Sequence, residues 1–177
     1  INAASDASDY VRSMDLSKAV DDVLIGIEKK SKKVEKDELV TTAYHEAGHA
    51  LMGYLLQDEM PPMKLSIIPR GHGIAGYTLP QENELSNRTK EQLLSQIYGL
   101  LAGRGAEIVK FNVLSTGAGN DFEKATNIVT AMVTKHGMYP EFSPMVYELS
   151  RESAYCVSDQ KRAEIEKIVQ NELQKAF

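Results

Sequence analysis

Two histidines and a glutamate in the first third of the chain have the spacing of a metal-dependent hydrolytic site. They occur as His45-Glu46-x-x-His49. On an α-helix, side chains four residues apart lie on one face, about 6 Å apart along the axis, so both imidazoles can bind one ion. Glu46 lies one step round the helix, where its carboxylate can take a proton from a water molecule that the metal activates. The pattern predicts a zinc hydrolase centre with His45 and His49 as ligands and Glu46 as general base.

A catalytic zinc usually has three protein ligands and a water molecule, so one more ligand is expected. The metzincin extension would require Gly at position 52 and His at position 55, but the chain has Met52 and Leu55. The third ligand must therefore come from farther along the chain, and the candidates are His72, Glu107, Asp121 and His136. Spacing favours Asp121 only slightly over Glu107, because a carboxylate that opens a helix is also stabilised by the helix dipole.

Composition predicts one globular domain. The chain has 177 residues, of which 42% are hydrophobic and 25% charged, and this length is enough for a substantial core. The net charge of −5 argues against nucleic acid as a partner, and the short basic run 29–33 is interpreted as a solvated helix end. The single Cys156 forms no internal disulfide, which fits a reducing compartment. No apolar run approaches the roughly 18 residues of a membrane span, and no signal peptide is recognised.

Hydrophobic periodicity predicts five helices, with the motif on the second. Apolar residues recur at helical spacing in five segments. The first predicted helix is capped by Asp15 and includes Ile27, and the motif helix runs from about Glu38 to Gln57 with Thr41 and Thr42 near its start. The third helix follows a capping box of Thr89 and Gln92. The fourth runs from the turn 115–121 to Gly137, and the fifth is capped by Ser158.

Two short strands are predicted between the second and third helices. Residues 64–69 and 74–79 are the two expected strands. Between them, Gly71 to Gly76 matches the Gly-x-Gly-x-x-Gly pattern of dinucleotide sites, which requires a helix directly after the glycines. A strand follows instead, so the segment is interpreted as a turn. If the strand 74–79 forms a sheet edge in the cleft, an extended peptide could pair with it.

Several short segments extend this pattern in a fixed order from about residue 20 to residue 140. They are residues 26–31, 42–50, 66–71, 76–77, 103–107, 115–121 and 132–138. In these segments the chain resembles the FtsH-type membrane-bound, ATP-dependent zinc metalloproteases, and it is similar to their isolated peptidase domain. Gly105 stands where that family usually has Ala, whereas residues 1–14 and 141–177 match weakly.

The resemblance implies roles for particular residues. His45, His49 and Asp121 would hold one Zn²⁺ per chain, Glu46 would be the catalytic base, and Glu107 would be structural. Polypeptide substrates would bind as an added strand along the segment formed by Ile74, Ala75, Gly76 and Tyr77. The fold would be mainly α with a small β-sheet, of the helical FtsH peptidase type.

The resemblance also implies a larger assembly. Residues 1–14 would lead in from a missing upstream ATPase module, and residues 15–177 would form the zinc peptidase domain. ATP would bind only to the upstream module. The whole protein would be a membrane-anchored AAA+ protease and a homo-hexamer. Its peptidase domain would face the bacterial cytoplasm or the interior of a mitochondrion or plastid. It would degrade unfolded or threaded membrane and soluble proteins.

Two other functions fit the same motif. A small-amide hydrolase of the deformylase kind would be expected to supply a cysteine ligand, and Cys156 has no accompanying motif. A non-enzymatic assembly module with a structural zinc would close the site with four protein ligands, and the sequence offers three good ones besides Glu46.

Overall fold

The computed structural model describes residues 9–28, 35–56, 62–70, 75–80, 87–142, 144–147 and 157–177. Within these ranges the chain forms five helices and two strands, which confirms the prediction of a mainly helical fold with a small sheet. The elements are α1 (Ser13–Leu24), α2 (Lys36–Leu55), β1 (Pro62–Ser66), β2 (Tyr77–Pro80), α3 (Lys90–Phe111), α4 (Gly119–Thr134) and α5 (Asp159–Ala176).

The hydrophobic core lies between the last three helices. Ile97 on α3 and Val129, Met132 and Val133 on α4 are fully buried, and Ile165 on α5 closes the cluster from the other side. Their spacing of three and four residues places them on one face of each helix. Burial of such side chains contributes roughly 1.5–3 kcal/mol each, so this cluster fixes α3, on which the motif helix packs, against α4 and α5.

The motif helix α2 packs directly along α3. A Cβ atom at Gly48 would lie 2.5 Å from the carbonyl oxygen of Ala102 and 2.8 Å from the Cβ of Ala106. The two helix backbones can therefore approach this closely because the contact is made by glycine and alanine. This contact holds the imidazole-bearing face of α2 against α3.

The sheet is a two-stranded antiparallel ribbon that packs on the other side of α2. Leu65 lies opposite Thr78 and Ser66 opposite Tyr77, with an irregularity near the start of β1. The strands differ in bounds from the predicted segments 64–69 and 74–79, since Pro69 already lies outside β1 and β2 begins at Tyr77.

Helix α1 is joined to the sheet region by ion pairs of its acidic residues. Asp21 Oδ2 accepts hydrogen bonds from Lys64 Nζ at 2.5 Å and from Arg70 Nη2 at 3.0 Å. Arg70 also donates to Asp22 Oδ1 at 2.8 Å and to the carbonyl oxygen of Gly26 at 2.9 Å. Asp21 and Arg70 are both buried, so these bonds are protected from solvent screening.

Two predicted helix starts are wrong by a few residues. Helix α1 begins at Ser13, and Asp15 is the third residue of the helix, from which it accepts hydrogen bonds of the Arg12 backbone and side chain. Helix α2 begins at Lys36, and the hydroxyl of Thr41 donates within the helix to the Asp37 carbonyl. In both cases the residue expected to cap the helix lies inside its first two turns.

Two other predicted helix starts are confirmed, whereas one predicted helix end is wrong by three residues. Thr89 and Gln92 form a reciprocal capping box at the start of α3, and Ser158 accepts from the Lys161 backbone at the start of α5. Helix α3 continues without a break through Gly99, Gly103 and Gly105. Helix α4 ends at Thr134, whereas the predicted terminator Gly137 lies three residues later with φ of +60°.

Some predicted features fall outside the described residues: the basic run 29–33, His72, Ile74 and Cys156. In the described part of the chain, no helix combines the length and apolar character that a membrane crossing requires.

Candidate metal centre

Two helices bring the predicted zinc-binding residues together. His45 and His49 project from one face of α2, and Asp121 approaches from the first turn of α4. The Nε2 atoms of the two imidazoles are 3.0 Å apart, and Asp121 Oδ2 lies 3.2 Å from His45 Nε2 and 3.5 Å from His49 Nε2. These are the three residues whose ligand atoms converge among the described His, Cys, Asp and Glu side chains.

The outer nitrogen of each imidazole is fixed by a hydrogen bond. His49 Nδ1 donates to the carbonyl oxygen of Gly99 at 2.8 Å, and His45 Nδ1 donates to Glu107 Oε1 at 2.7 Å. A carbonyl and a carboxylate can only accept, so the Nδ1 atoms carry the protons. Both Nε2 lone pairs therefore face the space next to Asp121 Oδ2. Hydrogen bonds of this kind on the outer nitrogen are common in the second coordination sphere of zinc sites.

The donor set fits a zinc ion. Three acceptor atoms converge at 3.0–3.5 Å with no donor of their own in the neutral imidazole state, an arrangement that requires a positive charge between them. Ligand atoms at 2.0–2.2 Å from a tetrahedral zinc are about 3.3–3.6 Å apart, close to the distances found here. Two imidazole nitrogens and one carboxylate oxygen are also ligands that zinc prefers.

The pKa values of the site follow from the same geometry in the metal-free protein. Burial alone would lower the pKa of His45, but hydrogen bonds with Asp121 and Glu107 outweigh burial and raise it. Burial alone would raise the pKa of Asp121, whereas hydrogen bonds from His45 and His49 lower it well below its usual range. A proton shared by these groups therefore supplies positive charge where a metal would otherwise do so.

Glu107 lies behind His45 and not among the convergent atoms. Its side chain is 1% exposed and accepts from Arg104 Nη1 at 2.7 Å and from the backbone and hydroxyl of Ser115 at 3.2 and 3.0 Å. Arg104 also donates to the Ser115 carbonyl. Glu107 thus ties the imidazole of His45 to the loop before α4, which carries Asp121. Spacing left Glu107 and Asp121 open as third ligand; in the structure Glu107 contacts Nδ1 of His45, whereas Asp121 lies beside its Nε2.

Gly103 on α3 lies directly beneath the two imidazoles. A Cβ atom there would come within 2.6 Å of His45 Cε1, His45 Nε2 and His49 Nε2. Every side chain larger than hydrogen would therefore displace the rings. Nothing in the local sequence around Gly103 shows that this residue faces the metal-binding atoms.

Glu46 is buried on the side of α2 that faces β2. It is 6% exposed, and its Oε2 accepts a hydrogen bond from the Thr78 hydroxyl at 2.7 Å. A Cβ atom at Gly76 would lie 3.1 Å from Glu46 Cγ. Sequence reasoning missed Thr78, because nothing in its local sequence shows that β2 passes beside the glutamate.

The remaining candidates are not in the cluster. His136 follows the end of α4 and is not one of the convergent residues. Of the predicted substrate segment, Tyr77 opens β2, while Ala75 and Gly76 precede the strand.

The chain is also similar in sequence to known proteins. Residues 32–177 match the model of peptidase family M41. The chain is 40% identical over 147 residues to "ATP-dependent zinc metalloprotease FtsH 2" of Petrotoga mobilis, covering 82% of this chain and 23% of that protein. It is 39% identical over 153 residues to the FtsH of Thermus thermophilus (86% and 24%) and 41% identical over 152 residues to that of Acaryochloris marina (85% and 23%).

The chain thus spans about a quarter of the length of the curated relatives it matches. The family match covers most of the chain, including every residue of the convergent cluster. The chain belongs to peptidase family M41 and is a zinc-metallopeptidase domain of the FtsH type.

Proposed function

We propose that the chain is a zinc endopeptidase in which His45, His49 and Asp121 hold the metal and Glu46 is the general base. The observation that carries the proposal is the convergence of three acceptor atoms at 3.0–3.5 Å, with each imidazole oriented from behind by a hydrogen bond on Nδ1. Within the described residues the cluster has three members. Three protein ligands leave a coordination position open, as in catalytic zinc sites, whereas structural sites usually have four.

When bound, zinc would supply a Lewis acid that lowers the pKa of a water molecule and polarises the peptide carbonyl. The protein supplies the proton transfer. Glu46 lies next to His45 in the sequence, and its carboxylate would take a proton from the attacking water and later donate it to the leaving amine. Burial of Glu46 beside β2 limits competing solvent.

We propose that substrates bind as extended polypeptides along the segment Ile74, Ala75, Gly76 and Tyr77. β2 is paired with β1 on one edge, and it passes beside Glu46, to which Thr78 donates. An added strand would bring its own backbone past the base, with affinity from main-chain hydrogen bonds. Such binding requires an unfolded chain, because the backbone of a folded protein is already paired.

The whole protein is proposed to be a membrane-anchored, ATP-dependent protease that assembles as a homo-hexamer. The relatives are named ATP-dependent zinc metalloproteases, and the match covers only 23–24% of their length. Residues 1–14 would lead in from an upstream ATP-binding module, and residues 15–177 would form the peptidase domain. This domain would face the bacterial cytoplasm or an organelle interior, where unfolded or threaded polypeptides would reach it.

The test uses the zinc-loaded chain with unfolded casein and a fluorogenic peptide. Wild type should cleave both, a chelator should abolish cleavage and zinc should restore it. Glu46→Gln should reduce kcat at least about 100-fold while zinc content stays at one ion per chain. Glu166→Gln, on α5, is the matched control and should retain full activity. Cleavage that persists in both the chelated protein and Glu46→Gln would overturn the proposal.

A further inference from the structure

The hydroxyl of Thr78 is the one side-chain hydrogen-bond partner that the described residues give to the carboxylate of Glu46. The distance from Thr78 Oγ1 to Glu46 Oε2 is 2.7 Å, and a longer contact of 3.3 Å leads to the Glu46 carbonyl oxygen. A hydroxyl has one proton. The shorter distance to a charged acceptor assigns that proton to the carboxylate.

This contact has a consequence for the rotamers of the glutamate. A glutamate side chain has three rotatable bonds and loses considerable rotamer freedom when it is held in one orientation. With Oε2 engaged by Thr78, the second oxygen is left for proton transfer. The neighbouring Gly76 lies so close to Glu46 Cγ that the segment 76–78 also limits the side chain sterically.

The strand that carries Thr78 is fixed from its opposite face. Successive side chains of a strand point to opposite sides, so Tyr77 points away from Glu46. The Tyr77 ring is 8% exposed and lies 5.8 Å from the guanidinium carbon of Arg70, which is itself held by Asp21 and Asp22. Thr78 is thus a hydroxyl on an anchored strand and not a mobile surface group.

We infer that Thr78 is a positioning residue, which holds the carboxylate of Glu46 in the orientation that proton transfer requires. The inference rests on the proposed role of Glu46 as general base and adds a residue from a different element to the reaction. Because Tyr77, the last residue of the proposed substrate segment, directly precedes Thr78 in β2, the peptide would bind next to the residue that orients the base. Misplacement of a catalytic group by about 1 Å can reduce the rate by up to 100-fold.

Two substitutions separate the hydroxyl from the methyl group of Thr78. Thr78→Val keeps the shape and the strand propensity of threonine but removes the donor, whereas Thr78→Ser keeps the donor and removes the methyl group. We expect Thr78→Val to lower kcat about tenfold with KM changed less than twofold. Thr78→Ser should stay within threefold of wild type. Thr126→Val is the matched control, since it removes an exposed hydroxyl that donates to the Phe122 carbonyl on α4, and it should leave kcat unchanged.

Two further measurements are independent of activity. Zinc affinity, measured by competition with a chromogenic chelator, should change less than twofold in Thr78→Val, because Thr78 contacts no proposed ligand. Crystal structures of the zinc-loaded chain should show one Glu46 orientation in wild type and more than one in Thr78→Val. The inference is overturned if Thr78→Val retains kcat, if Thr78→Ser loses as much as Thr78→Val, or if Glu46 keeps its orientation without the hydroxyl. Failure of the proposed function would instead appear as an inactive wild type, and the crystal structures would still decide the role of Thr78.

Discussion

The Nδ1 atom of His45 lies 2.7 Å from Oε1 of Glu107, a carboxylate that is 1% exposed. Such a bond fixes the tautomer and the ring plane of a metal-binding imidazole and strengthens its Nε2 as a ligand. Glu107 is itself held by Arg104 and Ser115. The orientation of His45 is therefore determined by a network that reaches from α3 to the loop before α4.

Glu107→Gln should weaken zinc binding. The amide removes a negative charge and presents an NH₂ group toward Arg104 or Ser115, both of which already donate, so one buried donor loses its acceptor. We expect zinc affinity to fall about 10- to 100-fold, measured by chelator competition. Glu123→Gln on the exposed face of α4 is the control and should not change affinity. An affinity within twofold of wild type in Glu107→Gln would mean that the His45 contact has no influence on the metal.

Gly103→Ala and Gly105→Ala should have opposite effects although they lie two residues apart on one helix. A Cβ at position 103 would meet the imidazoles at 2.6 Å, whereas one at position 105 would have no atom of the described residues within 4 Å apart from its chain neighbours and the adjacent backbone of α3. Gly105→Ala should therefore stabilise the helix by up to about 1 kcal/mol and leave zinc affinity unchanged. Gly103→Ala should lose zinc affinity at least about tenfold, because both rings must move.

Denaturant unfolding of both metal-free variants measures the free energy of unfolding, which should rise in Gly105→Ala. If Gly103→Ala bound zinc like wild type, the glycine would be dispensable and the close packing of α3 under the rings would have another cause.

The helix that carries the two proposed imidazole ligands could be predicted from sequence because its chemistry is local. His45, Glu46 and His49 lie within five residues, and helical geometry alone places both imidazoles on one face. The capping box of Thr89 and the cap of Ser158 are local in the same sense and are confirmed. The helical periodicity of apolar residues likewise sufficed to predict the five helices.

What failed or stayed open depends on contacts between distant segments. Asp121 and Glu107 could not be separated by spacing, since both are helical carboxylates and their roles differ only in the nitrogen that each contacts in the folded chain. The carbonyl of Gly99 and the hydroxyl of Thr78 reach the site through the packing of α3 and β2 on α2. Asp15 has the residue type of a cap, but its side chain binds Arg12 from inside α1.

The ion pairs of Asp21 should make stability depend on pH in the acid range. Burial alone would raise the pKa of Asp21, but Lys64, Tyr77 and Arg70 outweigh it and lower the pKa below the ordinary 3.8. A carboxyl with a lowered folded-state pKa stabilises fully above its unfolded value, and this contribution is lost as the pH falls through the folded value. Asp21→Asn should thus cost about 2–3 kcal/mol at pH 7, and the difference from wild type should shrink below pH 3.8.

Urea unfolding of the metal-free chain at several pH values measures this difference. Metal-free protein is used so that protonation of the zinc site does not contribute. The exposed Asp9 provides the control Asp9→Asn, which should unfold like wild type at every pH. A stability difference for Asp21→Asn that stays constant from pH 7 to pH 3 would contradict the assignment.

Asp121→Asn and Asp159→Asn should separate metal binding from helix-dipole stabilisation. Both aspartates lie in the first turn of a helix, where a carboxylate contributes about 0.3–1 kcal/mol through the dipole. Only Asp121 lies near both Nε2 atoms. Zinc at a free concentration 100 times Kd should stabilise wild type and Asp159→Asn by about 2.7 kcal/mol. If Asp121→Asn weakens binding about 100-fold, the same zinc concentration stabilises it by only about 0.4 kcal/mol. Thermal unfolding with and without zinc measures both terms, and an equal zinc-dependent gain in the two variants would remove Asp121 from the ligand set.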